Sequence, residues 1–440
     1  MTGAAANFAG WLAADGGRPD AAGPDWLTAR RHDALARLGE LEVPTSRQEG
    51  WRYTSLKALL EQGFVRGDAP LAALQPDALQ RILIPGLDSH RILLVNGRYT
   101  PAGSAPGDLP KGVRVGGLRD LLAQDPDALR ERLNRVAGTE QSLFAALNTA
   151  SLDDGLVLLL DRAVCLERPI ELIHLSVGQD APRVAQPRHL ILLEDGAQAT
   201  LIERYLSLDD ALYCTNAVLE LSLGRDAVLK HERIQMESRN AFHLTTLYLA
   251  QDAGSRYQGV NIGLGATWSR TELLTRFRGE QAECDLQGLY LAGDRQLMDY
   301  HLDVEHGVPR CTSRENFKGI LYGKGRAVFD GRVLVARDAQ KTDAAMSNRN
   351  LMLSASAEVD TKPQLEIHAD DVKCSHGTTV GQIEPERLFY LRSRGIPAPV
   401  ARRMLCLGFA GEIIETLSSE ALREQVSEQV GQRLESAPLS

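Results

Sequence analysis

A cysteine and a histidine stand two residues apart in the polar segment 366–377, at Cys374 and His376. Residues two apart on a β-strand point to the same face, so the thiol and the imidazole can meet one metal ion. Both groups suit a soft or borderline transition metal, but a closed iron or iron–sulfur site needs about four ligands. The pattern predicts part of a metal site, and the alternative is a packed cysteine beside a hydrogen-bonded histidine.

A second candidate lies in residues 301–306. If this segment is a strand, alternation places His301, Asp303 and Glu305 on one face and Leu302 and Val304 on the other. Such a face can bind a metal ion. It is more often the solvated side of a strand, and the solvated interpretation is favoured.

Common catalytic and nucleotide-binding motifs are missing from the sequence. Residues 319–325 have the wrong glycine spacing for a P-loop and carry no hydroxyl after Lys324. The Gly263-Leu264-Gly265 segment lacks the third glycine of a dinucleotide-binding turn. Neither G-x-S-x-G nor H-E-x-x-H occurs. The sequence therefore excludes a P-loop nucleotidase and the hydrolases that these last two motifs define.

Six cysteines are spread along the chain without any C-x-x-C pair, at positions 165, 214, 284, 311, 374 and 406. A zinc ribbon or a self-contained ferredoxin-type cluster loop is therefore excluded. We expect reduced and mostly buried thiols, because a chain without an export signal meets a reducing compartment. Any cysteine chemistry must draw its other groups from distant parts of the chain or from a partner.

Charge and hydropathy narrow the function classes. The 440 residues include 49 Lys and Arg against 58 Asp and Glu, a formal net charge of −9. The chain as a whole is therefore not basic, whereas we would expect a basic chain in a protein that binds nucleic acid or anionic lipid through its charge. No apolar run approaches the roughly 18 residues of a membrane span, and residues 1–16 lack the basic start of a secretory signal. We therefore expect a cytoplasmic protein with no nucleic-acid or membrane partner.

From about residue 155 the sequence changes to many short strands. Runs at 189–193, 217–221, 244–248 and 332–336 have strand length and are separated by Gly, Asp or Asn turns. Turn glycines recur at Gly196, Gly224, Gly254 and Gly279, spaced by 28, 30 and 25 residues. This near-repeat predicts a parallel β-helix, in which each coil covers the next. A large antiparallel sandwich is the alternative.

Helical patterns occupy both ends of the chain. Near the start, Asp25 is placed as a helix cap, and Ser46 with Glu49 has the spacing of a capping box. Near the end, Pro385 is placed to begin a helix and Gly395 to stop it. In the segment 400–417 that follows, apolar residues exceed one helical stripe, which predicts a face for a partner.

Several longer stretches match a known family. Residues 360–367, 369–377 and 389–396, with the shorter segments 49–54 and 324–329, closely resemble the SufB/SufD family of the SUF iron–sulfur assembly machinery. The resemblance extends over essentially the whole chain. Within the family, the Cys-Ser-His-Gly segment at 374–377 is similar to the SufD branch, since the SufB branch typically has a Glu-His-Glu type segment there.

The resemblance implies a mainly β fold and a set of partners. It implies a right-handed parallel β-helix core at 155–383, between an N-terminal helical and mixed part at 1–154 and a C-terminal helical part at 384–440. It further implies a noncatalytic scaffold subunit that pairs with SufB through the end of the β-helix. The C-terminal helices would bind the ABC-type ATPase SufC, and the isolated chain would form a homodimer in place of the SufB pair.

The resemblance also implies the chemistry of the site. The family's histidine and cysteine at the SufB interface correspond to His376 and Cys374. Iron or an iron–sulfur cluster would be held there transiently and only in the assembled complex. Reduced flavin is compatible with the complex, and no cofactor is expected in the isolated chain.

The sequence also allows a second class of function. β-Helices also form stand-alone enzymes of the polysaccharide lyase or acyltransferase type. Their sites need carboxylates or a base on outward positions, and the chain offers no compact set beyond Asp303 and Glu305. Association separates the two hypotheses, because a scaffold co-purifies with an ATPase and a paralogue whereas a lyase works alone.

Overall fold

The fold is built from two long sheets wound into a parallel solenoid. The structure, a computed structural model, describes residues 3–12, 23–67, 76–137, 142–435 and 437. Of the chain, 40% is strand and 24% is helix, and the strands form about eight solenoid turns. The mainly β class and the β-helix predicted from the strand runs are confirmed.

The strands are numbered in chain order. They are β1 Val65–Arg66, β2 His90–Val95, β3 Arg98–Tyr99, β4 Val113–Gly117, β5 Leu156–Leu160, β6 Ile170–Ser176, β7 Arg183–Ala185, β8 Arg188–Leu193, β9 Gln198–Ser207, β10 Tyr213–Leu223, β11 Val228–Met236, β12 Phe242–Gln251, β13 Arg256–Gly263, β14 Trp268–Phe277, β15 Glu283–Ala292, β16 Leu297–His306, β17 Thr312–Leu321, β18 Arg326–Val335, β19 Asp343–Met352, β20 Glu358–Ile367 and β21 Lys373–Gly381. From β8 onward, even-numbered strands lie in sheet A and odd-numbered strands in sheet B.

Neighbouring coils pair in parallel. In sheet A, Phe242 pairs with Trp268, then Leu297, then Arg326, each one coil further along the solenoid. All strand pairs from β5 to β21 are parallel, which rules out the antiparallel sandwich. Alternate side chains point inward and form one continuous apolar core along the axis.

The spaced glycines sit in stacked turns, as their spacing predicts. Gly254 has φ +68°, and a Cβ there would lie 2.1 Å from Asp226 Oδ1 of the preceding turn. A Cβ on Gly279 would lie 2.1 Å from the backbone nitrogen of Ala253. Only glycine lets successive turns approach this closely, so these residues set the rise from one coil to the next.

The N-terminal part closes the first coil of the solenoid. Its helices are α1 Ala4–Asn7, α2 Ala9–Leu12, α3 Asp25–Glu40, α4 Lys57–Leu60, α5 Pro76–Ile82, α6 Leu118–Gln124, α7 Pro126–Arg130 and α8 Leu143–Ala150. Strand β4 pairs antiparallel with β5, and β2 extends sheet B beyond β6. Every residue of α8 is buried. Within the predicted helical and mixed part at 1–154, residues 1–2, 13–22, 68–75 and 138–141 lie outside the described residues.

The capping box predicted at Ser46 and Glu49 is wrong. Residues Glu49–Trp51 form a short 3₁₀ helix whose N-cap residue is Gln48 rather than Ser46, and no side-chain hydrogen bond caps it. Tertiary contacts hold the turn instead, since Trp51 stacks 3.8 Å from the Arg270 guanidinium. Arg270 also donates to the Gly50 carbonyl at 2.9 Å. Contacts with sheet A therefore override the local helix signal.

The described C-terminal residues form three helices, α9 Pro385–Ser393, α10 Ala398–Ile414 and α11 Glu420–Glu435, and Gly395 ends α9 with φ +85° as predicted. Of these helices, α10 and α11 pack on the outer face of sheet B, and α9 contacts α10. Apolar residues of α10 and α11 share one buried cluster with sheet B, including Cys406, Ile413, Val426, Ile262 and Leu289. The C-terminal helical part therefore shares a hydrophobic core with the solenoid.

A buried lysine anchors this helical part. The fully buried Lys318 of β17 donates to the Phe409 carbonyl at 2.9 Å and pairs with Glu412 at 2.6 Å. Arg349 of β19 pairs with the same Glu412 at 2.9 Å. One carboxylate of α10 thus ties two adjacent coils together. Among the helices that the structure describes, none has the length and hydropathy to cross a membrane.

Candidate functional site

The last coil of the solenoid is left uncovered. Strands β20 and β21 are the terminal strands of sheets A and B, and each pairs on one side only, with β18 and β19. Side chains that continue the core are exposed here, with Ile367 41% and Val380 51% exposed. An unpaired strand edge beside an open apolar core favours pairing with another chain.

Cys374 and His376 lie together on this open coil. On β21, Cys374 is in register with Ala344 and His376 with Met346, two inward-facing residues of the core. Both side chains therefore lie on the inner face of the terminal coil, as expected from their spacing. Cys374 is half-buried against the core, and His376 is exposed. The part of the chain that the structure describes supplies no hydrogen bond or ion pair to His376.

The electrostatics favour a protonated thiol at Cys374. Burial raises the pKa of this thiol, and the carboxyl groups of Asp343 and Glu315 act in the same direction. Metal binding or a cation from another chain would have to stabilise the thiolate, which is the form that binds metal. Within the described residues no third histidine, cysteine or carboxylate joins this pair in ligand geometry. The remaining ligands of a metal site would come from another molecule.

His368 lies near the same end but does not share the arrangement. It follows β20, and its Nε2 lies 3.1 Å from Glu366 Oε1. This hydrogen bond, with Arg332 nearby, lowers the pKa of Glu366. His368 is therefore engaged with an outward carboxylate, which makes it a suitable reference histidine for experiments on His376.

The face with His301, Asp303 and Glu305 is an ion-paired outer surface. On β16, Leu302 and Val304 are buried and the three polar residues are half-buried, as the alternation predicts. Asp303 pairs with Arg332 at 2.9 Å, and Glu305 pairs with Arg276 at 3.2 Å. His301 Nε2 lies 2.8 Å from Asp299 Oδ1. These carboxylates are engaged by arginines, which supports the favoured interpretation over a metal face.

A cleft of about 910 Å³ covers part of this outer face. Its floor includes Glu272, His301 and Asp330, and residues 48–51 form one wall. Glu272 is bound to Arg270 at 2.7 Å, so its carboxylate is engaged within the protein. The cleft lies on the outer face of sheet A, whereas Cys374 and His376 lie on the inner face of sheet B. The cleft and the Cys374–His376 pair therefore lie on different sheets and on opposite faces of the solenoid wall.

An exposed apolar patch lies on the C-terminal helices. Phe389 and Tyr390 of α9 are 72% and 58% exposed, and Val400 and Met404 of α10 are 37% and 46% exposed. The rest of the apolar surplus predicted at 400–417 is used internally, because Ile413, Ile414 and Leu417 pack against α11 and sheet B. The face left for a partner is therefore smaller than the sequence indicated, and it includes α9.

All six cysteines are free thiols, and four of them are buried, as predicted.

The sequence patterns did not predict a group of buried side chains, His174, His189 and Glu203, which come together inside the early coils. Their signal was present but weak, since each occupies a strand whose other residues are mostly apolar. A histidine or glutamate at an inward strand position indicates a partner inside the core.

Comparison with known proteins agrees with this architecture. The family model for the SUF system FeS cluster assembly SufBD core domain matches residues 174–409, and the SufBD N-terminal region matches residues 20–172. The iron–sulfur cluster assembly protein SufD of Escherichia coli is 36% identical, covering 92% of each chain. A SufBD family protein of Synechocystis is 34% identical, covering 92% of this chain and 91% of its own. The SufD of Bacillus subtilis is 26% identical over 92% of this chain and 93% of its own. The chain therefore belongs to the SufBD family of iron–sulfur cluster assembly proteins.

Proposed function

We propose that this chain is a noncatalytic scaffold subunit of a SUF assembly complex. It pairs with SufB through the open last coil, binds the SufC ATPase through α9 and α10, and contributes His376 and Cys374 to an iron or cluster site at the SufB interface. The observation that carries the proposal is the uncovered coil that holds both residues on its inner face.

Two features of the open coil support pairing with another chain: its unpaired strand edges and its partly exposed core. The edges of β20 and β21 leave backbone groups free to continue both sheets into another chain. The inward residues Val359 and Leu365 only partly cover the core beneath them. A second solenoid end of the same kind would complete both the strand pairing and the apolar layer.

Two observations support a role in metal binding: the chemical types of the two ligands, and the fact that they fill only part of a ligand set. One thiol and one imidazole leave about two positions of a four-ligand iron site unfilled. Since both groups lie on the contact face, residues of the second chain can reach the same ion. The isolated chain is then expected to hold metal weakly, and the assembled pair tightly.

Docking of the ATPase is supported by the patch on α9 and α10. Exposed aromatic and methionine side chains on helices are typical anchors for a hydrophobic groove. The patch also lies on a rigid base, because Glu412 of α10 is fixed to Lys318 and Arg349. Removing all residues after Gln382 would uncover the apolar outer face of sheet B, so point substitutions are the better test.

The central experiment compares two histidines at the same end of the molecule. His376→Ala and His368→Ala are each co-expressed with SufB and SufC, and iron and acid-labile sulfide are measured per purified complex. We expect His376→Ala to keep the complex and to lose most of the cluster, while His368→Ala resembles the wild type. A His376→Ala complex that builds clusters at the wild-type rate would remove this histidine from the mechanism.

Cys374→Ser separates a ligand from a packing residue. A serine preserves the size of the side chain and its contact with the core, but it removes the thiolate. If the thiol binds iron, cluster content falls while the SufB affinity is unchanged. If the thiol only packs, cluster content stays at the wild-type level, and the cysteine is excluded as a ligand.

The docking patch is tested with a double substitution and a matched control. Phe389→Asp with Met404→Asp places two charges in the patch, whereas Leu35→Asp changes a leucine of α3 that is 37% exposed and lies outside the patch. We expect the double variant to weaken SufC binding at least tenfold, because charges oppose burial of the contact. SufB pairing should be unchanged in both. Unchanged SufC affinity in the double variant would place the ATPase elsewhere.

A further inference from the structure

The exposed apolar patch on α9 and α10 lies in a basic segment of an acidic chain. Residues 384–404 contain five arginines and two glutamates, with no lysine or aspartate, whereas the whole chain has a formal net charge of −9. The exposed side chains of the patch belong to the same segment: Phe389, Tyr390, Val400 and Met404. Apolar and positively charged side chains are therefore concentrated in one short part of the chain.

Arg392 and Arg394 carry charge that the described part of the chain does not neutralise. Both residues are exposed, and neither forms an ion pair with a carboxylate among the described residues. Arg387, near the start of α9, differs because it pairs with Glu384 at 2.6 Å. Arginines without a carboxylate partner can pair with carboxylates of another protein, because no existing ion pair has to break first.

The two arginines lie beside the exposed aromatic rings. The Arg394 guanidinium lies 5.3 Å from the centre of the Tyr390 ring, in a cation–π contact. Arg392 follows Phe389 by three residues in α9, and residues three apart lie on the same side of a helix. Glu386 lies in the first turn, at the opposite end of the helix. The C-terminal end of α9 therefore presents aromatic rings and positive charge together.

The position at a helix end explains only part of this arrangement. A cation near the C-terminus of a helix interacts favourably with the helix dipole. The dipole gives no reason for the Phe389 side chain, which is 72% exposed, and no residue of α9 is buried. Aromatic residues, methionine and arginine are enriched in protein–protein contacts. The cluster therefore has the composition of a contact surface, and its charge indicates which partner fits.

Two outward carboxylates of the open coil, in contrast, are paired within the chain. Glu358 of β20 pairs with Arg326 at 2.9 Å, and Glu366 pairs with Arg332 at 3.3 Å. Each pair joins the last strand of sheet A to β18 beside it. Contact at this coil then depends mainly on strand edges and on the apolar layer, which salt does not screen. The two contact surfaces of the chain therefore differ in their electrostatics.

We propose that the patch on α9 and α10 recognises an acidic docking groove. The partner surface combines an apolar pocket for Phe389 and Tyr390 with carboxylates that pair with Arg392 and Arg394. This proposal rests on the proposed function, in which the partner is the ATPase SufC. Exposed charges of opposite sign speed association and are screened by salt. Docking of SufC is therefore strongly salt-dependent, whereas pairing with SufB at the open coil is not.

The test measures binding of the full chain to purified SufC at two salt concentrations. The Debye length is about 10 Å at 0.1 M salt and about 3 Å at 1 M, so charge pairing is largely screened at the higher concentration. We expect Arg392→Glu with Arg394→Glu to raise the SufC Kd at least tenfold at about 0.1 M salt and less than about threefold at 1 M. Arg392→Lys with Arg394→Lys keeps both charges and should stay within about threefold of the wild type. SufB affinity should be unchanged in both variants, which also reports an intact fold.

Arg225→Glu with Arg278→Glu is the matched control, because both are exposed arginines in turns of the solenoid and the net charge changes equally. It should leave the SufC affinity unchanged. A reversal at Arg392 and Arg394 that weakens SufC binding no more than this control, or equally at both salt concentrations, would overturn the proposal. It would leave SufC docking itself intact, which the substitutions of apolar residues test. A wild-type chain that binds no SufC would overturn the proposed function, and this proposal with it.

Discussion

The first and last coils of the solenoid end in opposite ways. At the first coil, Leu156, Leu158 and Leu160 of β5 are buried in the core, where residues of β2 and β4 pack with them. At the last coil, Ile367 and Val380 occupy comparable inward positions and are exposed. A solenoid needs a cap at each end, and this chain supplies one. The uncapped end is where another chain is expected.

The polar side chains near the two ends also differ in how far the protein encloses them. His174, His189 and Glu203 are enclosed within the early coils, whereas Cys374 and His376 lie at the open coil. The enclosed group is surrounded by side chains of the same chain, because Tyr205 and His231 hydrogen-bond to Glu203. The open pair can be completed by residues of a second protein, which suits transient transfer better than permanent binding.

The largest expected effect is the difference in stability between two variants, each of which places one charge at one end of the solenoid. Leu158→Asp puts a carboxylate in the covered first coil and should lower the free energy of unfolding by more than about 3 kcal/mol. Leu365→Asp makes the same change on the half-buried last coil and should cost less than about 1 kcal/mol in the isolated chain. Urea denaturation of both variants measures the difference. Equal losses would mean that the last coil is also covered.

Acid should destabilise the enclosed core through its neutral histidines. Burial lowers the pKa of His306 to about 4 and that of His189 to about 3, against about 6.5 in the unfolded chain. The unfolded state therefore takes up more protons as the pH falls below about 6.5, and stability decreases through that range. Between pH 7 and 5, each histidine should cost about 2 kcal/mol.

His306→Gln should reduce the acid loss by about 2 kcal/mol relative to the wild type, as measured by urea midpoints at the two pH values. His376→Gln serves as the matched control because its side chain lies outside the core. We expect the control to behave as the wild type. If His306→Gln keeps the full acid loss, the buried histidines do not cause it.

Association at the open end should respond to a charge on its inner face. The isolated chain is expected to form a homodimer through this coil, and Val380→Lys should weaken it at least tenfold, about 1.4 kcal/mol. Sedimentation velocity at micromolar concentrations measures the change, with Leu60→Lys of α4 as the control. A strictly monomeric wild-type chain at these concentrations would contradict the expected self-pairing.

The smallest effect is expected on the outer face. Asp303→Asn breaks the ion pair with Arg332 that joins β16 to β18, and both side chains are about one-third exposed. Exposed pairs contribute roughly 0.2 to 1 kcal/mol, so the urea midpoint should shift only slightly. Cluster assembly should be unchanged. A large loss of assembly would reopen the interpretation of this face as a functional site.

Local patterns predicted a large part of the fold. Strand runs, turn glycines and the Pro385 and Gly395 helix signals are short-range features, and the structure confirms them. The spacing of Cys374 and His376 also correctly placed both on one face. The prediction at Ser46 and Glu49 failed because the contact of Trp51 with Arg270 joins residues far apart in the sequence.

What the sequence determined by itself is the repeating unit and the family, because alternation, turn chemistry and motif identity depend on neighbouring residues. Only the tertiary structure decided which coil stays open, how much of the α10 surface α11 covers, and that His174, His189 and Glu203 meet. These features depend on the stacking register of separate coils. That register is set by contacts between residues distant in the sequence, which no local pattern encodes.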